Sequence, residues 1–289
     1  MNSSQKAIKY IATAFAVFLA VSIISSVIIL AGRVLFSFNL LEKRAEHSNF
    51  GYFFSQNLQK SNVNKTFANI KRLDIDIAFA ELKILQGDSF KVEAENVSQN
   101  FICKDEYDTL VIHEKAILRG GIFSLKDDSL PRIKVYLPSN FTAEQVSIKT
   151  GAGKTSAERL AAKQLDLSFG AGDVEFDSII ADEAEIDGGV GSVKINSCQI
   201  SGLDFEAGVG ETIIDGRLTG ENKIKAGVGA LVLNLQNSSD DYNLDIKSGV
   251  GEITIDGVKT EDVRYHNATA KNSLKIDGGV GSIAVNFKK

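Results

Sequence analysis

The chain of 289 residues has no tryptophan, two cysteines, two prolines, three histidines and one methionine. Each shortage removes a class of protein. Cys103 and Cys198 are too few for the disulfide framework that small secreted domains use in place of a large core. His47, His113 and His266 lie far apart, and none has metal-ligand spacing with a cysteine, so neither a metal nor a cofactor is expected. No Ser-His-Asp order accompanies a strained nucleophile turn, and an enzyme is not expected. Without tryptophan, and with most repeat aromatics in inward columns, the usual aromatic platform for sugars is missing. Positive charge is short too: residues 71–289 carry 25 Lys and Arg against 35 Asp and Glu, a net of −10, which repels phosphate backbones and excludes nucleic acid. Pro131 and Pro138 sit close together, and nothing after them suggests a second independent domain.

Long apolar runs are equally scarce, with one exception. Residues 11–32 carry no charge, and at 1.5 Å per residue they span a hydrocarbon core of about 30 Å. Lys6 and Lys9 precede the run and Arg33 closes it. It exceeds the 7–15 apolar residues of a cleaved signal peptide and is followed by no small-x-small site, so an uncleaved signal anchor is expected. Basic residues on the two flanks nearly balance. We expect residues 1–10 as a cytoplasmic tail and the remainder outside the cytoplasm on a single-pass membrane protein. Residues 33–70 mix Phe36, Phe38, Phe50, Tyr52, Phe53 and Phe54 with Ser, Asn and Gln, and read as a juxtamembrane stalk.

What the chain has in abundance is glycine, 25 residues, much of it in one pattern. Gly-x-Gly begins at Gly151, Gly170, Gly189, Gly208 and Gly227, each 19 residues after the last, and again at Gly249 and Gly279. A period near 20 marks a solenoid, whose coils bury their apolar faces only by stacking. With the first glycine as position 1, position 5 reads Val174, Val193, Thr212, Leu231, Ile253 and Ile283. Position 7 reads Phe176, Ile195, Ile214, Leu233, Ile255 and Val285. The alternation places both columns inward on a short strand. A second strand precedes each glycine pair, with Leu165/Leu167, Leu203/Phe205, Leu244/Ile246 and Leu274/Ile276 inward and Asp166, Asp204, Asp245 and Lys275 outward. We therefore expect an all-β solenoid of parallel coils over residues 151–289, capped by irregular β structure over residues 71–150.

Two columns invite a functional reading. The glycine pairs Gly170/Gly172, Gly189/Gly191, Gly208/Gly210, Gly227/Gly229, Gly249/Gly251 and Gly279/Gly281 are not phosphate loops, because no helix follows them, and they read as corner turns. Position 8 is always Asp or Asn: Asp177, Asn196, Asp215, Asn234, Asp256 and Asn286. Calcium β-roll repeats are the nearest motif, but the aspartate of that repeat is replaced here by an inward aliphatic residue such as Val193, and half the column is neutral. Asx turns and stacked amides are the expected role. Cys198 shares position 10 with Leu160 and Ile179 and is expected as a buried thiol. The last strand, Ser282–Phe287, would leave an unpaired edge, a place for self-association unless Lys288-Lys289 or the insertion Val258–Ser273 guards it.

The stretch Pro131-Arg132-Ile133-Lys134-Val135-Tyr136-Leu137-Pro138, followed by stacked Gly-x-Gly-x-hydrophobic-x-hydrophobic-Asx units, resembles a bacterial family of Gly-rich β-strand repeat domains of the toastrack type. The family is commonly labelled "putative adhesin". The resemblance spans about residues 70–289 and carries no catalytic residues. It implies a cell-envelope protein tethered by one helix. The expected function is a non-catalytic envelope module for interaction, sensing or scaffolding, with an unknown envelope protein or glycan as partner. A glycan-binding surface adhesin is the alternative, and a polysaccharide-acting β-helix enzyme a remote third.

Overall fold

The computed structural model describes residues 60–114 and 130–288, and the apolar run 11–32 lies outside them. Among the described residues no helix is long and apolar enough to cross a membrane. They fold into twenty-three strands, numbered in chain order, and one short 3-10 turn at Ser239–Asp241.

Most of the pairing runs in two long ladders, each coil contributing one strand to either, and a third, shorter row of parallel pairings runs through residues 160–162, 179–181, 198–200 and 216–218. In spatial order the first ladder runs β5 (Ile102–Glu106), β6 (Thr109–Glu114), β2 (Arg72–Phe79), β8 (Ala143–Ala152), β10 (Leu160–Ala171) and β12 (Ile179–Asp187). It continues β14 (Leu203–Glu206), β16 (Glu221–Lys225), β22 (Asn272–Asp277), β18 (Tyr242–Lys247) and β21 (Val263–Tyr265). The second runs β1 (Ser61–Phe67), β4 (Phe90–Val97), β7 (Arg132–Pro138), β3 (Glu81–Gly87), β9 (Thr155–Ala157) and β11 (Val174–Phe176). It continues β13 (Val190–Ile200), β15 (Val209–Leu218), β17 (Val228–Leu235), β23 (Val280–Phe287), β19 (Val250–Ile255) and β20 (Val258–Thr260). The terminal strands β5, β4, β1, β20 and β21 pair antiparallel and close the stack, whose coils are otherwise parallel.

Inward columns make one continuous core. All of position 5 is buried, as are Leu165, Leu167, Leu203, Phe205, Leu274 and Ile276. Position 7 is buried except for Ile255, which is half-buried. Among the described residues its coil is last in the stack, and beyond it lies the three-residue β20, which sets Val258 opposite Ile255.

The order of coils in space departs from their order in the chain at both ends. The last coil of the chain, β22 and β23, lies between the coil of β16/β17 and the coil of β18/β19. The strand Ser282–Phe287 is therefore an interior strand, paired on both sides, and not the bare edge expected from its place at the end of the chain. The insertion does fold over an edge, through β20 and β21, but that edge belongs to β19 and β18. At the other end, the coil of β2/β3 lies between the later coil β6/β7 and the first glycine-paired coil β8/β9.

Two expected boundaries also shift. Residues 72–87 form a parallel coil in register with the stack, and β8 crosses residue 150, so no cap-to-solenoid boundary exists there. β1 lies inside the span read as stalk. Only Val63 and Phe67 of β1 pack against the core, too few to give an alternating signal.

Candidate functional site

The glycine columns form a tight corner between the ladders. Gly210 has φ +142°, and a Cβ built on it would lie 1.8 Å from the carbonyl oxygen of Gly191. The first glycines are equally crowded: a Cβ on Gly208 would lie 1.8 Å from the oxygen of Gly189. The corner exists because backbone meets backbone where side chains would otherwise stand. It leaves a slot of only about 30 Å³ to a water-sized group, too small for a ligand.

One glycine departs from the expected corner turn. Gly172, Gly191, Gly210, Gly229 and Gly281 share a φ between +136° and +142°, whereas Gly251, the second glycine of the outermost coil, does not adopt the left-handed region. Its conformation makes no demand for glycine; close approach does. Gly251 pairs in register with Gly281, and a Cβ on it would lie 1.5 Å from the Gly281 oxygen. Among the described residues no further glycine-paired coil lies beyond Gly251, because the stack ends there in the antiparallel β20.

At the next corner the Asx residues hydrogen-bond from coil to coil. Asn196 Nδ2 donates to Asp177 Oδ1 at 3.0 Å, Asn234 Nδ2 donates to Asp215 Oδ1, and Asn286 Nδ2 donates to Asn234 Oδ1 at 2.8 Å. Asp256, with φ +50°, accepts from the backbone N–H of Phe287 at 2.7 Å. In spatial order the column reads Asp, Asn, Asp, Asn, Asn, Asp, so no two carboxylates are neighbours. The ladder is interrupted between Asn196 and Asp215, where β13 carries one residue more than β15 before Cys198 pairs with Gly216. Gly216 accommodates that bulge at φ +146°; a Cβ there would sit 2.3 Å from the Cys198 oxygen.

Nothing else among the described residues assembles into a reaction centre. No three His, Cys, Asp or Glu residues converge as metal ligands there. His113 Nε2 lies 3.0 Å from Asp74 Oδ2, while His266 is exposed on the closing insertion. Both cysteines are buried and free, and burial pushes their thiols up, to about 11 for Cys103 and about 12 for Cys198. The Lys71 ammonium holds the Asp108 carboxyl below its ordinary value, and the N–H and hydroxyl of Ser248 do the same for Asp262. These are turn and cap interactions on the surface.

Two features of the columns escaped the sequence reading. Asn222 occupies an inward position between Leu203 and Leu274, where its Nδ2 donates to the oxygens of Thr219, Gly220 and Ser273 at 3.2, 3.2 and 3.0 Å. An asparagine where neighbouring coils place leucine was the available signal; it ties β16 to the inserted β22. The second feature is the residue between the glycines. Val190, Val209, Val228, Val280 and Val250 stand in register in consecutive coils, and Val190 is 58% exposed while Val209, Val228 and Val250 are 36–40% exposed. The other outward columns of these strands mix charged and neutral residues, such as Glu211 beside Ala230 and Lys194 beside Ile213; this one is aliphatic throughout.

Parallel coils joined at a glycine corner, with no reaction centre among them, define a repeat domain of the toastrack class. The family model for Toastrack DUF4097 matches residues 82–286, and the chain belongs to that family. Among solved structures it is similar to a "putative adhesin" from Bacteroides fragilis NCTC 9343, at 15% identity over 79% of this chain and 98% of that one, with a TM-score of 0.49. It is also similar to a "putative cell adhesion protein" from Clostridium sporogenes ATCC 15579, at 15% identity over 80% of this chain and 100% of that one, TM-score 0.33. A third is a "putative lipid binding protein" from Parabacteroides distasonis ATCC 8503, at 15% identity over 81% and 98%, TM-score 0.38. No curated protein matches the sequence.

Proposed function

We propose that this protein is a membrane-tethered, non-catalytic scaffold that presents a rigid β stack to other components of the cell envelope. The observation that carries the reading is closure of the stack at both ends. Short antiparallel strands bearing Lys259 and Arg264 blunt one end, and Lys104 and Glu106 flank the other. What remains for interaction is the lateral surface, made of long in-register columns on a framework that buries its own backbone hydrogen bonds. Such a surface suits recognition by shape and does not bring acid, base and nucleophile together.

The tether reading is supported by the uncharged run 11–32 and by the position of β1, the first strand among the described residues, at one extremity of the stack. Nine coils at roughly 4.8 Å make a stack about 40 Å long. Fusions of alkaline phosphatase and of a fluorescent protein to the C-terminus test the arrangement. An active phosphatase with a dark fluorescent fusion is the expected result, and the reverse would place the stack in the cytoplasm.

A further inference from the structure

We infer that the hairpin β5–β6, which closes the end of the stack shared with β1, rests on the lipid surface of the membrane that carries the tether. The hairpin turns at Tyr107 and Asp108, and both are left-handed, with φ +51° and +61°. Asn-Gly is the favoured pair in such a two-residue turn, and a positive φ is uncommon for a bulky residue. The turn is held firmly in place. The backbone N–H groups of Lys71 and Arg72 donate to the Asp108 oxygen at 2.8 and 3.1 Å, and Arg72 Nη2 donates to the Tyr107 oxygen at 2.5 Å. The ring itself is 87% exposed, the highest value among the large apolar and aromatic side chains described. The fold thus fixes an aromatic ring in water on a strained turn, and strain of this kind gathers where a molecule meets its ligands. Ile102, on the outer strand of the same hairpin, is also exposed.

Connectivity and charge select the bilayer as what this hairpin meets. β1 and β5 close the same end, where Lys65 Nζ of β1 donates to the Cys103 oxygen of β5 at 2.9 Å. The chain enters that end at Ser61, with 28 residues between it and the uncharged run 11–32. Fully extended, such a connection reaches up to roughly 95 Å, so it keeps the domain beside the membrane without choosing the face that touches it. Charge makes the choice. Residues 60–114 and 130–150 carry ten Lys and Arg against eleven Asp and Glu, a net of −1, whereas residues 151–289 carry 14 against 22, a net of −8. Anionic headgroups repel the acidic part and tolerate the near-neutral one. The far end also exposes Val258 and Tyr265, but it belongs to the acidic part. At the hairpin, Lys71 pairs with Asp108 at 2.8 Å and Lys104 with Glu106 at 2.6 Å. Tyrosine suits the headgroup level, where its ring is shielded and its hydroxyl stays wet. A contact of two side chains orients a domain that is already tethered and does not recruit a free one. The inference therefore rests on the tether reading for its membrane, and on the hairpin alone for the contact.

The chain has no tryptophan, so Tyr107→Trp supplies a single reporter and keeps an interfacial aromatic in place. The full-length variant is reconstituted into phosphatidylcholine vesicles whose acyl chains carry bromine near the headgroup. Co-flotation with the vesicles reports the tether separately from the contact. Emission of the Tyr107→Trp chain should shift to the blue and fall by about half on brominated lipid, while a Val258→Trp chain, labelled at the opposite end, should be unaffected. A Tyr107→Trp chain that floats but is not quenched overturns the contact and leaves the tether standing. A chain that does not float overturns both. Equal quenching of Val258→Trp would show that neither end is preferred, and the inference would fall. Tryptophan binds interfaces in its own right, so Ile102→Trp is also measured with and without Tyr107→Asn, which suits the left-handed turn and removes the ring. The added substitution should weaken quenching roughly twofold. Unchanged quenching would take Tyr107 out of the contact and overturn the inference.

Discussion

Asn234 donates its side-chain amide to the carboxylate of Asp215 in one neighbouring coil and accepts at Oδ1 from the amide of Asn286 in the other, at 2.8 Å. One residue thus links three coils, which Asn can do and ionised Asp cannot, because a carboxylate has no hydrogen to give. The arrangement explains why the position 8 column mixes Asp with Asn, and it locates a testable weakness.

Replacing Asn234 by Asp sets two carboxylates against each other in a half-buried site. We expect a loss of about 1–3 kcal/mol at neutral pH, from the lost hydrogen bond and like-charge repulsion. The repulsion raises the pKa of one member of the pair, so the deficit holds above that value and fades as acid protonates it. Chemical denaturation of both proteins at pH 7 and pH 4 measures this; an equal deficit at both would mean that charge is not the cause.

Gly210→Ala should cost roughly 3 kcal/mol or more, since it combines an unfavourable φ with a backbone collision that neither coil can relieve. Gly257→Ala is the control. Gly257 also has positive φ, +75°, but a Cβ there meets nothing within 4 Å, so only the conformational cost of about 1–2 kcal/mol applies. Thermal melts that ranked the two alike would remove close packing from the explanation of the glycine columns.

The core columns should be steeply graded by place in the stack. Leu233, fully buried in an interior coil, should lose about 2–5 kcal/mol on substitution by Ala. Ile255, half-buried in the outermost coil, should lose about half as much. Urea titrations of the two variants check the order.

Ending the chain after Lys271 would remove an interior coil rather than a terminal one. Tyr242 shows what depends on it: its hydroxyl donates to the Leu218 oxygen at 2.6 Å, and its ring lies 5.7 Å from that of Phe287. We expect hydrogen exchange to accelerate in β18 and β19, which precede the cut, as well as in β17. Unchanged protection of Leu244 and Ile246 would contradict the interior place of the last coil.

Neither native thiol should react with a disulfide reagent at pH 8 until the chain is unfolded. Because folding raises both thiol pKa values, the folded state keeps its protons longer than the unfolded chain. These groups therefore contribute fully below about pH 8.5, the ordinary thiol value, and their contribution is lost as pH rises toward 11–12. Reaction of the native chain within minutes would show that the corner around Cys198 opens readily.

The coil itself is legible in the amino-acid sequence. The inward alternation and the glycine corner are local, each following from alternation along a strand or from the φ that a turn demands, and the 19-residue interval appears as soon as successive repeats are set side by side. The reading of Asp177, Asn196, Asp215 and Asn234 as a structural column rested on the same local regularity. The order in which coils stack, by contrast, emerges only once they assemble. Any coil with the right inward columns can sit on any other, so the pattern of Leu274, Ile276, Ile283 and Val285 says that their coil is in the stack but not where. Its place beside β16 depends on contacts distant in sequence, among them Asn222 with the Ser273 carbonyl and Phe287 with Tyr242. The same holds for Gly251, whose need for glycine comes from the neighbouring Gly281 carbonyl and not from its own turn. The exposed valine face emerged in the same way. In one repeat, a valine between glycines is a residue at a turn; only stacking puts five of them in one row, because exposure belongs to the assembled coils and not to any one of them.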